Sequence, residues 1–426
     1  MIIMSGNHRK YVLVGGGPAS SAAAQAIRRR DPEGSMLLIG QEVNRPYFRP
    51  ALSRDYLLGR QDREQLFTLS DRWFVQKVVE LRTARRASSL DVARHSVMLD
   101  DGEEIIFDKL LIATGASPRP LSVPGAEMPN VCYLRTLADA ERLQKVVERA
   151  RREGRRHEHG RGQVVMVGAG LLGVELASAL TQRGLALQMV FAGEYPWHRI
   201  VGQTAGRLIW RRLESRGVKL HAQSTPLRLE GDGRVQRVVL PAGPPIECDL
   251  VVAALGAVPH RELIRGTAIS AEKAILVDER CRTSHSDIFA AGDCAAIFDP
   301  LFGRYRVLDH WPSAIETGKI AGANMAGGDE RFDGVAGFTS RAFDLGLVVW
   351  GDETPIERRI VRGNPNPESP DLVELGVAGD GRICFALAIN RGEDQTLREL
   401  VGRAVNVRDR ADLLRDPATD LRVFLQ

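Results

Sequence analysis

Two stretches of the sequence decide the fold: KYVLVGGGPASSAAAQAIRRR at residues 10–30 and QVVMVGAGLLGVELASALTQRG at residues 163–184. Each begins with an apolar run typical of a buried parallel strand and passes through a glycine-rich turn. Each then continues as a run rich in alanine or leucine, which has a high helix propensity. The sequence therefore predicts a strand–turn–helix unit that occurs twice in the chain.

The repeat extends beyond the two turns. A second strand, SMLLI at residues 35–39, follows the first helix, and DKLLIATGASP at 108–118 returns as CDLVVAALGAVP at 248–259. Strands that alternate with helices are typical of a parallel sheet covered by helices. From residue 337 onward the pattern changes to successive strands followed by two short helical runs, which is typical of an α+β domain.

These patterns predict an α/β chain with two Rossmann-like dinucleotide-binding domains and a C-terminal α+β domain. We expect the first nucleotide domain to be discontinuous, with residues 1–118 and 248–328. The second would then comprise residues 119–247, and the C-terminal domain residues 329–426. A helix and then a stretch rich in Gly, Arg and His near residues 153–162 precede the second turn. We interpret this stretch as a solvated linker, with a basic docking surface as the alternative.

The glycine turns indicate phosphate binding. In the pattern G-x-G-x-x-G, the first glycine permits the turn and the second lets backbone N–H groups approach a pyrophosphate. The third position needs a small residue where helix and strand meet, and the helix N-terminus favours an anion. These positions are Gly15, Gly17 and Ser20 in the first turn and Gly168, Gly170 and Gly173 in the second. Two such turns predict two nucleotides on one chain.

Composition excludes several other classes of protein. The chain has 426 residues and a net charge of +4, without the long basic tracts typical of nucleic-acid binding. Five widely spaced cysteines without a CxxC pattern predict neither a disulfide framework nor a metal site, and they favour the reducing cytoplasm. We expect no signal peptide in the first residues and no membrane-spanning segment, since no apolar run is long enough for membrane insertion.

With these motifs, the chain resembles the FAD-dependent pyridine nucleotide oxidoreductases, in particular the ferredoxin and rubredoxin reductases and the apoptosis-inducing-factor-like flavoproteins. The resemblance covers nearly the whole chain. The stretches that carry it are RPYFRPALSR (45–54), ATGASPRP (113–120), YLRTLADA (133–140), VGAGLLGVELA (167–177), DIFAAGDCA (287–295), HWPSAIETGKIAGANMAG (310–327) and FDLGLVVWGD (343–352). It implies FAD in the first nucleotide domain and NADH or NADPH in the second.

The resemblance also implies which residues bind the cofactors. Asp293 of the A-G-D motif would bond the flavin side of FAD, and the segment from Arg49 to Arg54 would lie beside the isoalloxazine. In the first nucleotide domain the implied cofactor-binding residues are Gly15, Gly17, Pro18, Ala19, Ser20, Gln41, Glu42, Arg49, Ser53, Arg54, Ala113, Thr114, Gly115, Gly256, Gly292, Asp293, His310 and Trp311. In the second they are Gly168, Gly170, Leu171, Leu172, Gly173, Glu175, Glu194 and Arg199.

Three of these residues are implied to be catalytic. Arg54 ends the flavin-side segment and would form an ion pair with Glu175 of the second glycine motif. Trp311 would lie against the flavin, with a purely structural core tryptophan as the alternative.

The sequence departs from the family pattern at three positions. Arg54 stands where the family has lysine. Gln41 stands where an acidic residue usually holds the FAD ribose, with Glu42 next to it. Phe191 stands where an acid usually selects NADH, which predicts weak discrimination against NADPH or even a preference for it. Glu194, His198 and Arg199 follow close behind.

The resemblance implies a small electron-acceptor protein, either iron–sulfur or rubredoxin-like, because no cysteine stands where the related disulfide reductases have theirs. One alternative is an apoptosis-inducing-factor-like protein whose reduced flavin–nicotinamide complex is a signalling state. The other is a flavin-binding protein that has lost nicotinamide use. The sequence leaves the oligomeric state open, a homodimer included.

Overall fold

The computed structural model describes residues 8–154, 160–391 and 395–426. Residues 155–159 of the Gly/Arg/His-rich stretch lie outside the described part of the chain, so its two interpretations stay open. The helices are α1 (Pro18–Arg30), α2 (Asp71–Gln76), α3 (Leu137–Gly154), α4 (Leu171–Gln182), α5 (Gln203–Ser215), α6 (Trp311–Met325), α7 (Gln395–Gly402) and α8 (Ala411–Arg415). No helix among the described residues is both long and apolar enough to cross a membrane.

The strands follow the predicted alternation with helices through the first two thirds of the chain. They are β1 (His8–Val14), β2 (Met36–Ile39), β3 (Val79–Arg82), β4 (Ala87–Asp91), β5 (Ser96–Leu99), β6 (Glu104–Ile112), β7 (Ala116–Pro118), β8 (Val131–Cys132), β9 (Gln163–Val167), β10 (Ala186–Val190), β11 (Lys219–His221), β12 (Arg228–Glu230), β13 (Arg237–Val239), β14 (Ile246–Glu247), β15 (Leu250–Ala253), β16 (Ala257–Pro259), β17 (Ile275–Val277), β18 (Ile288–Ala290), β19 (Ala295–Asp299), β20 (Arg304–Val307), β21 (Gly337–Ala342), β22 (Leu345–Gly351), β23 (Ile356–Asn364), β24 (Asp371–Ala378) and β25 (Ile383–Ile389).

The chain folds into two compact units, each assembled from separate stretches. The first unit takes its described residues from Met1–Phe48, Arg63–Ser117 and Val258–Ala336. The second takes them from Arg49–Asp62, Pro118–Ala257 and Gly337–Gln426.

The first unit is built on a sheet with the order β3-β2-β1-β6-β5-β4, in which β18 also pairs with β6. Strands β3, β2, β1, β6 and β18 are parallel, and β5 and β4 continue the sheet in antiparallel fashion. Helix α1 packs against α6 through two glycines. A Cβ atom at Gly318 would lie 2.2 Å from the Ala19 carbonyl oxygen, and one at Gly322 would lie 2.4 Å from that of Ala23. This contact holds the N-terminus of α1 in place at the carboxyl end of the central strand β1.

The second unit contains a parallel sheet with the order β11-β10-β9-β15-β8 and a small antiparallel sheet of β12, β13 and β14. Its C-terminal part is an antiparallel sheet with the order β21-β22-β25-β24-β23. Every residue of β25 is buried, as expected for a central strand covered on both faces. The structure thus confirms the predicted α/β class with two Rossmann-like sheets and a C-terminal α+β part.

The predicted boundaries differ from the observed ones in several places. Strand β15 lies in residues 248–257, which the sequence pattern predicts to be part of the first domain, but it pairs with β9 and β8 of the second sheet. The predicted return to the first domain at residue 248 is therefore wrong, and the chain returns after residue 257. Residues 49–62 group with the second unit, and residues 329–336 with the first, because packing rather than sequence order decides membership.

Candidate dinucleotide sites

The first glycine turn, in the first unit, is shaped for a close backbone contact. Gly15 has φ +125°, and a Cβ atom there would lie 2.0 Å from the Ala113 carbonyl oxygen. Gly17 is the N-cap of α1 and supplies no side chain, and the first turn of α1 has no acidic residue. The free N–H groups and the positive end of the helix dipole are therefore left for an anion.

The A-G-D segment lies beside this turn. Gly292 has φ +73°, and a Cβ atom there would lie 3.3 Å from that of Ala19. The Gly292 N–H donates to Thr317 Oγ1 over 3.1 Å, and Asp293 is buried in the same short turn. The structure thus brings Ala19, at the start of α1, next to Gly292 of the A-G-D segment, which is far away in sequence.

The residues after β2 offer a carboxylate at the carboxyl end of the sheet. Gln41 is exposed, whereas Glu42 is half-buried and accepts a hydrogen bond of 2.6 Å from the Tyr47 hydroxyl. Sequence reasoning did not single out Tyr47, although it stands in the quoted RPYFRP stretch. Of Gln41 and Glu42, the two candidates for binding the FAD ribose, Glu42 is the one whose carboxylate this hydrogen bond orients.

A histidine missed at the sequence level organises the A-T-G loop. The His260 N–H donates to the Gly115 carbonyl over 2.9 Å, and His260 Nδ1 lies 2.9 Å from the Thr114 carbonyl oxygen. Because a carbonyl oxygen only accepts, Nδ1 carries a proton. Nε2 lies 2.5 Å from Ser117 Oγ. The sequence contains a signal for this residue, because His260 directly follows GAVP at 256–259, the counterpart of GASP at 115–118.

Trp311 stands at the first position of α6, directly after the N-cap His310. Its ring meets that of Phe48 edge to face, with 5.0 Å between centroids and 85° between planes. Trp311 is half-buried and Phe48 is 38% exposed. The structure therefore does not bury Trp311 as a core residue, and it pairs Trp311 with an aromatic side chain that sequence reasoning missed.

These features fit FAD. The Gly15 turn has no room for a side chain, and the N-terminus of α1 has no side-chain cap. The buried Ser20 Oγ has no hydrogen-bond partner among the described residues. A pyrophosphate at this turn would satisfy the open N–H groups, as in other Rossmann-like domains.

The second glycine turn, in the second unit, repeats this geometry. Gly168 has φ +108°, and a Cβ atom there would lie 2.3 Å from the Ala254 carbonyl oxygen. A Cβ atom at Gly173 would lie 2.2 Å from the Gly168 carbonyl oxygen, so only glycine allows helix and strand to meet this closely. Gly170 caps α4 without a side chain, and Leu171 and Leu172 begin the helix with no acidic residue in the first turn. The turn therefore fits a second dinucleotide.

Gly256 also belongs to the second unit, which corrects its assignment to the first domain. It has φ +91° with no atom within 4 Å of its Cβ position, and its carbonyl accepts a hydrogen bond from the Arg119 N–H. The backbone at Gly256 is therefore open on its Cβ side.

Glu175 is held by three side chains of the second unit. Its Oε2 accepts from Ser53 Oγ over 2.7 Å and its Oε1 from Ser340 Oγ over 2.8 Å. Arg54 Nε lies 3.7 Å from Oε2, so the ion pair proposed from the sequence is present at the outer limit of a salt bridge. Ser340 comes from the C-terminal sheet and was not identified from the sequence. Nearby, Arg49 Nη1 donates to the Arg135 carbonyl over 2.8 Å.

The segment after β10 shows why Phe191 cannot replace a ribose-binding acid. Phe191 is 4% exposed, and its ring meets that of Trp210 edge to face with 6.0 Å between centroids. Its side chain belongs to the core. Glu194 and Arg199 are both exposed, so they are the charged groups on this segment that a nucleotide can reach.

All five cysteines are free and buried. Burial raises the pKa of Cys132 to about 11, that of Cys248 to about 12 and that of Cys384 to about 11. It also raises the pKa of Cys281 and Cys294. Because the thiolate is the reactive form, these thiols are poor nucleophiles at neutral pH.

One cluster combines side chains that can bind metals. The ligand atoms of His95, His285 and Asp287 lie within 4.8 Å of one another. The Lys109 ammonium pairs with Asp287, and the Asp287 N–H donates to His285 Nδ1 over 3.3 Å. His95 Nε2 also lies 4.0 Å from Asp287 Oδ2, so all three groups already have partners within the protein.

The folds and the two turns define a protein that holds two dinucleotides, and comparison with known proteins agrees. The family model described as pyridine nucleotide-disulphide oxidoreductase matches residues 9–318. The chain belongs to the pyridine nucleotide-disulphide oxidoreductase family.

Two relatives and two solved structures illustrate its place in the family. The ferredoxin–NAD(+) reductase component of the anthranilate 1,2-dioxygenase system of Burkholderia cepacia is 30% identical, over 97% of this chain and 99% of its own length. The rubredoxin-NAD(+) reductase of Pseudomonas putida is 33% identical, over 74% and 80% respectively.

The covalent putidaredoxin reductase–putidaredoxin complex matches with a TM-score of 0.89 and 25% identity, covering 98% of each chain. The ferredoxin reductase for the CYP199A2 system from Rhodopseudomonas palustris matches with a TM-score of 0.88 and 27% identity, covering 97% of this chain and 99% of that one.

The burial of the thiols predicts catalysis without a redox cysteine. Each single Cys→Ala variant should reduce ferricyanide with NADH at close to the wild-type rate, and native protein should resist iodoacetamide, because the sulfur atoms are enclosed. Cys294→Ala is the most stringent variant, since Cys294 directly follows Asp293. If this variant kept its full FAD content but lost flavin reduction, a thiol would be part of the mechanism.

Proposed function

We propose that this protein is an NADH-dependent FAD flavoprotein that reduces a small electron-transfer protein, a ferredoxin-type iron–sulfur protein or a rubredoxin. One observation carries the proposal. A single chain contains two glycine turns of the same geometry, and each leaves an uncapped helix N-terminus for a dinucleotide. The names of the relatives, which are ferredoxin and rubredoxin reductases that use NAD(+), support it.

The first unit would hold FAD. Gly15, Gly17 and Ser20 would surround the pyrophosphate, Glu42 would bond the ribose, and Asp293 would bond the flavin side. When bound, FAD accepts a hydride and returns its electrons one at a time, which links a two-electron donor to a one-electron carrier. The protein contributes binding, orientation and electrostatics.

The second unit would hold NADH on its own glycine turn, with Gly168 and Gly170 at the pyrophosphate. Glu175 would contact the nicotinamide amide, and Ser53 and Ser340 orient its carboxylate for that contact. Arg54 would supply a fixed positive charge, because a guanidinium stays protonated at any working pH. The domain assignment follows the two units, with FAD in the first and NADH in the second.

The acceptor would be a small redox protein. The solved complex of putidaredoxin reductase with putidaredoxin is a precedent within similar structures. The net charge of +4 would speed the encounter with an acidic partner. We place the protein in the cytoplasm, since its five cysteines are all free.

The proposal is tested with the purified protein. It should be yellow and release non-covalent FAD on denaturation, and NADH should bleach the flavin. Turnover should then require a ferredoxin, a rubredoxin or a putidaredoxin-like protein, compared as a panel. A colourless protein that cannot be reconstituted with FAD contradicts the proposal. Slow reduction with a long-lived charge-transfer band and no acceptor turnover would favour a signalling flavoprotein instead.

The nicotinamide preference should depend on Glu194 and Arg199, because Phe191 is buried. A carboxylate favours the 2′-hydroxyl of NADH, and an arginine favours the 2′-phosphate of NADPH. The wild type should therefore discriminate weakly. Glu194→Gln should shift the ratio of kcat/KM values toward NADPH, and Arg199→Gln should shift it toward NADH. The variant Arg211→Gln, which changes an exposed arginine of α5 outside this segment, serves as the control, and equal ratios in all four proteins would exclude this segment from selection.

Arg54 should accelerate flavin reduction through its charge, since a fixed cation favours the negative charge that arrives with the hydride. Under single turnover with saturating NADH, Arg54→Ala should slow bleaching by about tenfold, equivalent to about 1.4 kcal/mol. Arg54→Lys should keep much of the rate. Stopped-flow absorbance measures both variants, and an unchanged rate and flavin potential in Arg54→Ala would rule out a role for the pair.

A further inference from the structure

The segment that follows β10, residues 191–202, rests on the second glycine turn. The Trp197 N–H donates to the Ala169 carbonyl over 2.9 Å, and Trp197 is 2% exposed with φ +63°. The Ile200 and Val201 N–H groups both donate to the Trp197 carbonyl. One buried tryptophan therefore ties this segment, which carries Glu194 and Arg199, to the turn that would bind the NADH pyrophosphate.

The C-terminal sheet holds the other end of the segment. Arg359 on β23 donates through Nη2 to the Ile200 carbonyl over 3.1 Å. Glu374 on β24 accepts the Gly202 N–H over 2.7 Å and forms an ion pair with Arg359. A Cβ atom at Gly202 would lie 2.8 Å from both Arg359 Cδ and Glu374 Oε2. A side chain at residue 202 would therefore collide with the ion pair.

The position of the Glu374–Arg359 ion pair is energetically unfavourable for a charged carboxylate. The side chain of Glu374 is 0% exposed, and burial raises its pKa. Strands β23 and β24 are already joined by a long antiparallel ladder, and apolar side chains of similar volume can replace a buried ion pair without loss of stability. What apolar side chains could not replace is the polar contact with the Ile200 carbonyl and the Gly202 N–H, which fixes the segment.

We infer that Glu374 and Arg359 are positioning residues for the nicotinamide cofactor: from the C-terminal sheet they set the position of residues 191–202, and hence the affinity for NADH. This inference rests on the proposed function, which gives the segment its ligand. It assigns the C-terminal sheet a part in cofactor recognition although neither residue is placed in contact with the cofactor.

The test compares three variants with a matched control. Glu374→Gln and Arg359→Gln each break the charge pair, and the double variant Glu374→Leu/Arg359→Met removes both charges while keeping a packed core. The control is Arg362→Met, because Arg362 is also buried on β23 but donates to the carbonyls of Leu414, Pro417 and Thr419 instead.

The double variant should raise the KM for NADH about tenfold and change kcat little, because ground-state binding is weakened while the reacting groups stay intact. The single variants should act in the same direction, and Arg362→Met should leave KM unchanged. FAD content should equal that of the wild type throughout.

A second readout does not depend on activity. Arg199 is exposed, so trypsin can cleave after it, and cleavage there should be faster in the double variant than in the wild type or in Arg362→Met. An unchanged KM and cleavage rate in a folded double variant would overturn the inference, as would an equal rise of KM in Arg362→Met. A wild type that NADH cannot reduce would instead contradict the proposed function.

Discussion

Each dinucleotide turn depends on one contact: the first glycine lies against a backbone carbonyl at the end of a neighbouring strand. Gly15 meets the Ala113 carbonyl and Gly168 meets the Ala254 carbonyl, in each case so closely that a Cβ atom would overlap it. Such a contact permits only glycine. In the first unit the ends of β1 and β6 lie side by side at this contact, and in the second unit the ends of β9 and β15 do. In each unit the following helix therefore begins at the carboxyl end of its own sheet.

The contact also explains which parts of the structure could be predicted from the sequence. Turn, helix and apolar strand are local features, so the quoted stretch 10–30 contains the predicted strand–turn–helix unit, with α1 ending at Arg30. Membership of a sheet is not local. Residues 248–259 repeat residues 108–118, and β15 accordingly pairs with β9 in the second sheet as β6 pairs with β1 in the first. The symmetry of the repeat, and not the order of the chain, therefore locates this boundary.

The candidate cofactor sites also combine local features, which the sequence predicts, with contacts between distant residues, which it does not. The glycines stand in short motifs whose chemistry can be recognised from spacing, and the resemblance to the family implies the role of Asp293. The side chains that orient the functional groups come from distant parts of the chain: Ser340 bonds Glu175 across 165 residues, and Glu374 bonds Gly202 across 172. No periodicity encodes such pairs, because a single hydrogen bond constrains neither strand register nor helix face. Phe191 is a related case, since only its packing on Trp210 shows that it is a core residue.

The enclosure of the thiols bears on how electrons leave the protein. The family takes its name from disulfide chemistry, in which a cysteine pair accepts both electrons of a reduced flavin. Here every cysteine is buried, and burial raises the pKa of each thiol, so none offers an accessible thiolate. Electrons must then pass from the flavin to the acceptor without a sulfur relay. That requirement suits a partner that takes one electron at a time, as ferredoxins and rubredoxins do, and disfavours a small disulfide substrate.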